Sequence, residues 1–131
     1  MKKITLLFIL CLTITSQSFS QSKFGEKKTI QQVIGHNISG QIEGLQDSSV
    51  MLAYYFGGKQ YATDTTEVVD GKFSFEGERE LKGGMYLVVL ANQQYFDIIV
   101  SEQHFSFSTK IDDLIGSMSF KNSIENPPFY E

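Results

Sequence analysis

The chain predicts an all-β fold, an antiparallel β-sandwich (or partly open barrel) of about eight short strands. Three observations carry that prediction. From His36 onward the sequence breaks into short runs in which apolar and polar residues alternate. Glycine, asparagine and aspartate separate the runs, leaving connections of only a few residues. No stretch keeps a helical period for three turns.

The first run, "HNISGQIEG", sets Ile38, Gly40 and Ile42 on one face and Asn37, Ser39, Gln41 and Glu43 on the other. A turn at "LQDSS" leads into "VMLAYYF", then Gly57-Gly58, then "KQYATDTTEVV". A glycine pair between two strand-like runs is a two-residue hairpin signal, because primed turns need positive φ. Counting outward places Phe56 opposite Lys59 and Tyr54 opposite Tyr61. The stretch "DTTEVVDGKFSFEG" reads the same way, with Asp70-Gly71 as a type I′ turn. Val69 then faces Lys72, Val68 faces Phe73 and Thr66 faces Phe75, so that Val68, Phe73 and Phe75 share an inward face. The run from Met85 to Ala91 predicts a central strand covered on both faces. Asn92-Gln93 turns the chain into "QYFDIIVS", and Glu102-Gln103 turns it into "HFSFSTK", with Phe105 and Phe107 inward. "IDDLIG" is a helical turn or bridging loop, and "SMSFKNS" a last strand with Met118 and Phe120 inward.

Length bounds the organisation: 131 residues suit one domain. The first twenty residues have the form of a signal peptide, with basic "MKK", apolar "ITLLFILCLTI" and small Ser18 and Ser20 before a cleavage point at Gln21. The apolar run is shorter than the roughly 20 residues a membrane span needs. Cys11 lies inside it, so the mature chain has no thiol for a disulfide or for nucleophilic work. Residues 21–35 form an aperiodic, flexible leader, 36–121 the sandwich, and 122–131 the start of a connecting segment. That segment ends abruptly, with Phe129 and Tyr130 having nothing after them to pack on. Without Lys2 and Lys3, nine basic residues stand against 15 acidic ones, a balance of -6. Grouped Lys and Arg are absent beyond Lys27-Lys28, which argues against nucleic acid.

The residues that could carry chemistry are few. His36 and His104 are the only imidazoles, each at a strand start beside polar turns, and read as solvated rather than as metal ligands. Asp112-Asp113 lacks the spacing of a calcium loop; Asp112 reads as an N-cap and Asp113 as a solvated first-turn charge. Asp97 shares a face with Tyr95 and Ile99 and reads as an edge acid that discourages strand addition. Tyr54 and Tyr55 fall on opposite faces, so one should be exposed, able to grip a protein or, with Asp64 and Thr66, a small ligand or sugar. No catalytic, cofactor-binding or metal residue is expected.

Four stretches carry a family resemblance: "ISGQIEGLQDSSVMLAYY", "TDTTEVVDGKFSFEGE", "YLVVLANQQYFDIIVSE" and "SMSFKNSIENPPFYE". They resemble the exported, β-rich domain of unknown function found in Bacteroidetes proteins. The most specific part runs from Asp64 to Gly77, and "S-x-x-N-x-x-F" from Ser123 to Phe129 is similar to the family's join to its next segment. In that family the domain typically precedes a thioredoxin-like or peroxiredoxin-like domain of the thiol:disulfide interchange kind. The resemblance implies a periplasmic or outer-surface location in a Gram-negative bacterium. It also implies a non-enzymatic accessory module acting through protein contacts, with a periplasmic redox protein or the parent chain's thioredoxin-like domain as partner. A Cys-x-x-C motif is absent, so redox activity transfers to no residue of this sequence. The alternative is a small-ligand or carbohydrate-binding sandwich.

Overall fold

The alternating runs become strands at nearly the places their pattern marks. A computed structural model describes residues 35–131; the expected signal peptide, and the leader up to residue 34, lie outside the described residues. The strands are β1 (His36–Glu43), β2 (Ser49–Phe56), β3 (Lys59–Glu67), β4 (Lys72–Gly77), β5 (Gly84–Val89), β6 (Tyr95–Val100), β7 (His104–Lys110) and β8 (Ser119–Lys121). One short helix, α1 (Asn126–Tyr130), follows them. Two four-stranded sheets result, ordered β4-β1-β7-β8 and β3-β2-β5-β6. The architecture is an open sandwich rather than a closed barrel.

Between the sheets lies one apolar core. Ile38, Ile42, Phe73, Phe75, Phe105 and Phe107 face it from the first sheet, and Val50, Leu52, Tyr86, Val88, Phe96 and Ile98 from the second. The inward phenylalanines meet edge to face: Phe75 on Phe73 at 5.7 Å, Phe73 on Phe107 at 5.8 Å, and Phe107 on Phe96 at 5.4 Å. Such pairs contribute about 0.5–1.5 kcal/mol each beyond the area they bury. The position opposite these rings has to be small. A Cβ on Gly40 would stand 2.5 Å from Phe73 Cζ and 2.6 Å from Phe107 Cζ. Met118 and Phe120 pack partly buried against the same core, as their spacing predicts.

The β2–β3 hairpin forms in the predicted register, Tyr54 opposite Tyr61 and Phe56 opposite Lys59, with positive φ at Gly57 and Gly58. A one-residue irregularity follows in β3, where Leu52 pairs Asp64 but Ala53 pairs Ala62, leaving Thr63 as a bulge.

Two expectations are corrected. Asp70-Gly71 does make a turn with positive φ at both residues, and Val69 and Lys72 exchange two backbone bonds of 3.0 Å. The hairpin stops there. Val68 instead donates its N–H to Ser48 O at 2.9 Å, and β4 crosses to β1, placing Phe73 opposite Gly40 and Phe75 opposite Ile38. A two-layer fold requires the chain to change sheets, and this turn makes the change. It is tied to β1 by Ile42 N–H donating to Gly71 O at 2.8 Å. The second correction concerns strand direction. β1 and β7 run parallel, from Asn37 opposite His104 to Glu43 opposite Lys110, while the other named strand pairs are antiparallel.

The segment expected as a connector is packed onto the domain. The Tyr130 ring lies 5.3 Å from that of Phe120 on β8, and its hydroxyl donates to Asp97 O on β6. Phe129 stays half-exposed against Tyr130, at 5.3 Å. Residues 123–130 thus bridge β8 of one sheet and β6 of the other, closing the side of the sandwich opposite the Asp70-Gly71 crossing.

Candidate functional site

The β2–β3 hairpin carries a cluster of aromatic side chains that the core does not absorb. Phe56 at its tip is 71% exposed, Tyr55 is 47% and Tyr54 is 37%. Only one of the two tyrosines was expected to be exposed. Both are, because Tyr54 points inward at the open end of the sandwich, where few residues remain to cover it. There it stacks on Tyr61 at 5.7 Å and tilts against Tyr86 at 6.0 Å. Tyr86 is buried and donates its hydroxyl to Lys82 O at 2.9 Å. Burial, and secondarily the neighbouring Tyr54, raise its pKa. On the opposite face of β2, the Tyr55 hydroxyl accepts a hydrogen bond from Gln60 Nε2 at 2.7 Å.

Beside the hairpin the segment leading into β5, residues 80–83, helps form a cleft of about 580 Å³, walled by Tyr54, Tyr55, Phe56, Leu81, Met85 and Tyr86. Its far wall is braced by Gln103. The carboxamide of Gln103 accepts from Leu81 N–H at 2.8 Å and donates to Leu81 O at 3.1 Å, standing in for a neighbouring strand. Sequence reading took Gln103 only as a turn residue. Side-chain amides that bind both groups of a distant peptide leave no mark in a local pattern.

The aromatic end continues onto the outer face of the second sheet. Met51, Ala53 and Tyr55 of β2, Met85, Leu87 and Val89 of β5, and Tyr95 and Ile99 of β6 alternate away from the core and are adjacent in register. Leu87 is fully buried on that face, but Met85 on the same strand is 45% exposed and Val89 half-buried, so the expected cover on both faces holds only at the middle of the strand. Asp97 sits opposite Leu87, half-buried, and its burial raises the carboxyl pKa. β6 is an edge strand, in keeping with the reading of Asp97 as an edge acid.

The remaining sequence candidates do not converge. Asp64 and Thr66 lie opposite Leu52 and Val50 and do not line the cleft, so neither Tyr54 nor Tyr55 is joined by them there; the bulged Thr63 lines the cleft instead. His36 is not simply solvated: Nδ1–H donates to Arg79 O at 2.6 Å and the ring lies over Gly77. His104 is exposed. Asp113, rather than Asp112, organises the 111–117 loop, accepting from Gly116 N–H at 2.9 Å; no helix forms there for Asp112 to cap. Among the described residues no group of three His, Cys, Asp or Glu side chains could hold a metal ion, and no helix is long and apolar enough to cross a membrane.

The outer face of the first sheet also forms a hollow, of about 520 Å³, lined by Ser39, Ser74, Ser106, Ser108 and Ser119 with Lys72 and Lys121 at its rim. Its hydroxyls are largely committed to one another and to Asn37. Ser74 and Ser39 donate to Asn37 Oδ1 at 2.9 and 3.0 Å, and Ser108 meets Ser119 at 3.3 Å.

No curated protein and no solved structure shows a significant match to the chain. One family does match, over residues 36–129, a span that takes in every strand and most of α1. The chain belongs to the family described as Domain of unknown function (DUF4369).

Proposed function

We propose that this domain is an exported, non-enzymatic binding module that docks a protein through the aromatic end and outer face of its second sheet. The single observation that supports this reading is the exposed run of Phe56, Tyr55, Met85 and Tyr95 on that sheet, with Phe56 at 71% and Met85 at 45% exposure. Large aromatics and methionine on a rigid sheet are the residues that carry binding energy in protein interfaces. The signal-peptide-like start supports a periplasmic or outer-surface location, and the family resemblance points to a thioredoxin-like domain, separate or within a parent chain, as the partner.

Titration calorimetry of the mature chain with a purified periplasmic thioredoxin-like domain tests the proposal. Binding is expected, and Met85→Glu combined with Tyr55→Glu should weaken it by at least about tenfold, or 1.4 kcal/mol, with the circular dichroism spectrum unchanged. Absence of binding heat, or full affinity in the double variant, overturns it.

The stacked Tyr54–Tyr61 pair beside the cleft favours a second reading, a carbohydrate ligand lying against aromatic rings. A glycan held at about 100 times its Kd would add roughly 2.7 kcal/mol of stability, visible as a thermal shift.

A further inference from the structure

An edge strand with free backbone groups is a template for another strand, and β6 has the composition of a strong one. "YFDIIV" is aromatic and β-branched, with Asp97 its only charge. The N–H and C=O of Ile99 and the C=O of Asp97 point away from β5. All three are occupied by the segment after β8. The Asn126 carboxamide accepts from Ile99 N–H at 2.7 Å and donates to Ile99 O at 2.7 Å, reproducing the two bonds a strand residue would make. Asn126 is fully buried, and its Nδ2 also lies 2.9 Å from Ser123 Oγ. Upstream, Ile124 N–H donates to Glu102 Oε1 at 2.9 Å. Downstream, Tyr130 reaches Asp97 O while its ring rests on Phe120. Two prolines, 127 and 128, open α1 between these anchors, and their fixed φ holds the spacing.

We propose that residues 123–130 are an intramolecular strand surrogate guarding a self-association site, and that the occupant they exclude is β6 of a second copy. The chemistry of the edge selects the register. An antiparallel pair about a twofold axis at Ile98 sets Asp97 opposite Ile99 of the other copy and lets the outward groups of both residues bond. Centring the axis on Asp97 would place two carboxylates face to face, which is unfavourable. The guard holds the edge with one carboxamide and one hydroxyl, so loss of the carboxamide frees both groups of Ile99 together.

The test compares the full chain with Asn126→Ala by amide hydrogen exchange and by sedimentation over a wide concentration range. The native chain should show a protected Ile99 amide and no association. In dilute Asn126→Ala the protection should fall by about tenfold or more, and at high concentration a dimer should form. Adding Ile99→Pro should abolish the dimer, since the N–H it removes faces the edge and not the β5 ladder. If Asn126→Ala lowers the folded population, Tyr130→Phe keeps the ring on Phe120 and should give the same changes in smaller measure. An Ile99 amide equally protected in the variants, variants that stay monomeric, or a dimer that survives Ile99→Pro would each overturn the proposal.

Discussion

The two outer faces of this sandwich are built on the same period and end in opposite chemistry. On the first sheet the outward positions include Asn37, Ser39, Gln41, Lys72, Ser74, Glu76, Ser106, Ser108, Ser119 and Lys121; on β2, β5 and β6 of the second they include Met51, Ala53, Tyr55, Met85, Leu87, Val89, Tyr95 and Ile99, with Asp97 as the one acid among them. Water and neighbouring hydroxyls satisfy the first face, so it asks for no partner. The second exposes methionine and tyrosine around a buried leucine, at a cost in apolar hydration that a docking partner would relieve. A solvent-facing β-sheet position is informative when it is large and apolar, not when it is polar.

Four measurements probe the contrast, beginning with the core the faces share. Phe75→Ala should cost about 3–5 kcal/mol by denaturant unfolding, since the ring is fully buried and touches Phe73; a loss below about 0.5 kcal/mol would mean that the ring faces water. Next comes a matched pair of outward positions. Leu87→Ala should cost about 2–5 kcal/mol, whereas Ser106→Ala on the other sheet should stay within about 0.5 kcal/mol. Equal losses would erase the distinction between the faces.

The smallest effect concerns Asp97, the acid of the apolar face. Burial raises its pKa above the unfolded value, so the neutral form is favoured on folding. That contribution is full below the ordinary carboxylate range, near about pH 3.9, and is lost as pH rises through the raised value. Asp97→Asn should therefore be more stable than the native chain at neutral pH, with the gap closing as the solution is acidified. Tyr130 reports the same charge. Burial, and secondarily Asp97, push its pKa to about 12, so Tyr130 should join Tyr86 among the late tyrosines of an ultraviolet titration and alone ionise earlier in Asp97→Asn.

Strands were legible because a period of two is a local signal, strong in "HNISGQIE", "KFSFEG" and "HFSFSTK" alike. Partner choice was not. Asp70-Gly71 has the chemistry of a hairpin turn and makes the turn, yet β4 leaves for β1, where Gly40 offers the space its rings need. One exposed tyrosine could be found from alternation beside a glycine pair; the second could not, nor could the cleft, because Gln103 and Leu81 are far apart in sequence and neither has a distinctive neighbourhood. The role of Asn126 was equally silent, although "S-x-x-N-P-P" does mark a place where an amide is followed by a fixed backbone.

The parallel ladder between β1 and β7 also orders events in time. Asn37 and His104 lie 67 positions apart along the polypeptide, so the middle of the first sheet cannot close until nearly the whole domain is available. β2 and β3 meet across two glycines. β5 meets β6 after a tight turn in which Gln93 N–H donates to Leu90 O. The β2–β3 and β5–β6 hairpins of the second sheet can nucleate from neighbours, while β1 must wait for a distant mate, and long-range closure of that kind slows folding.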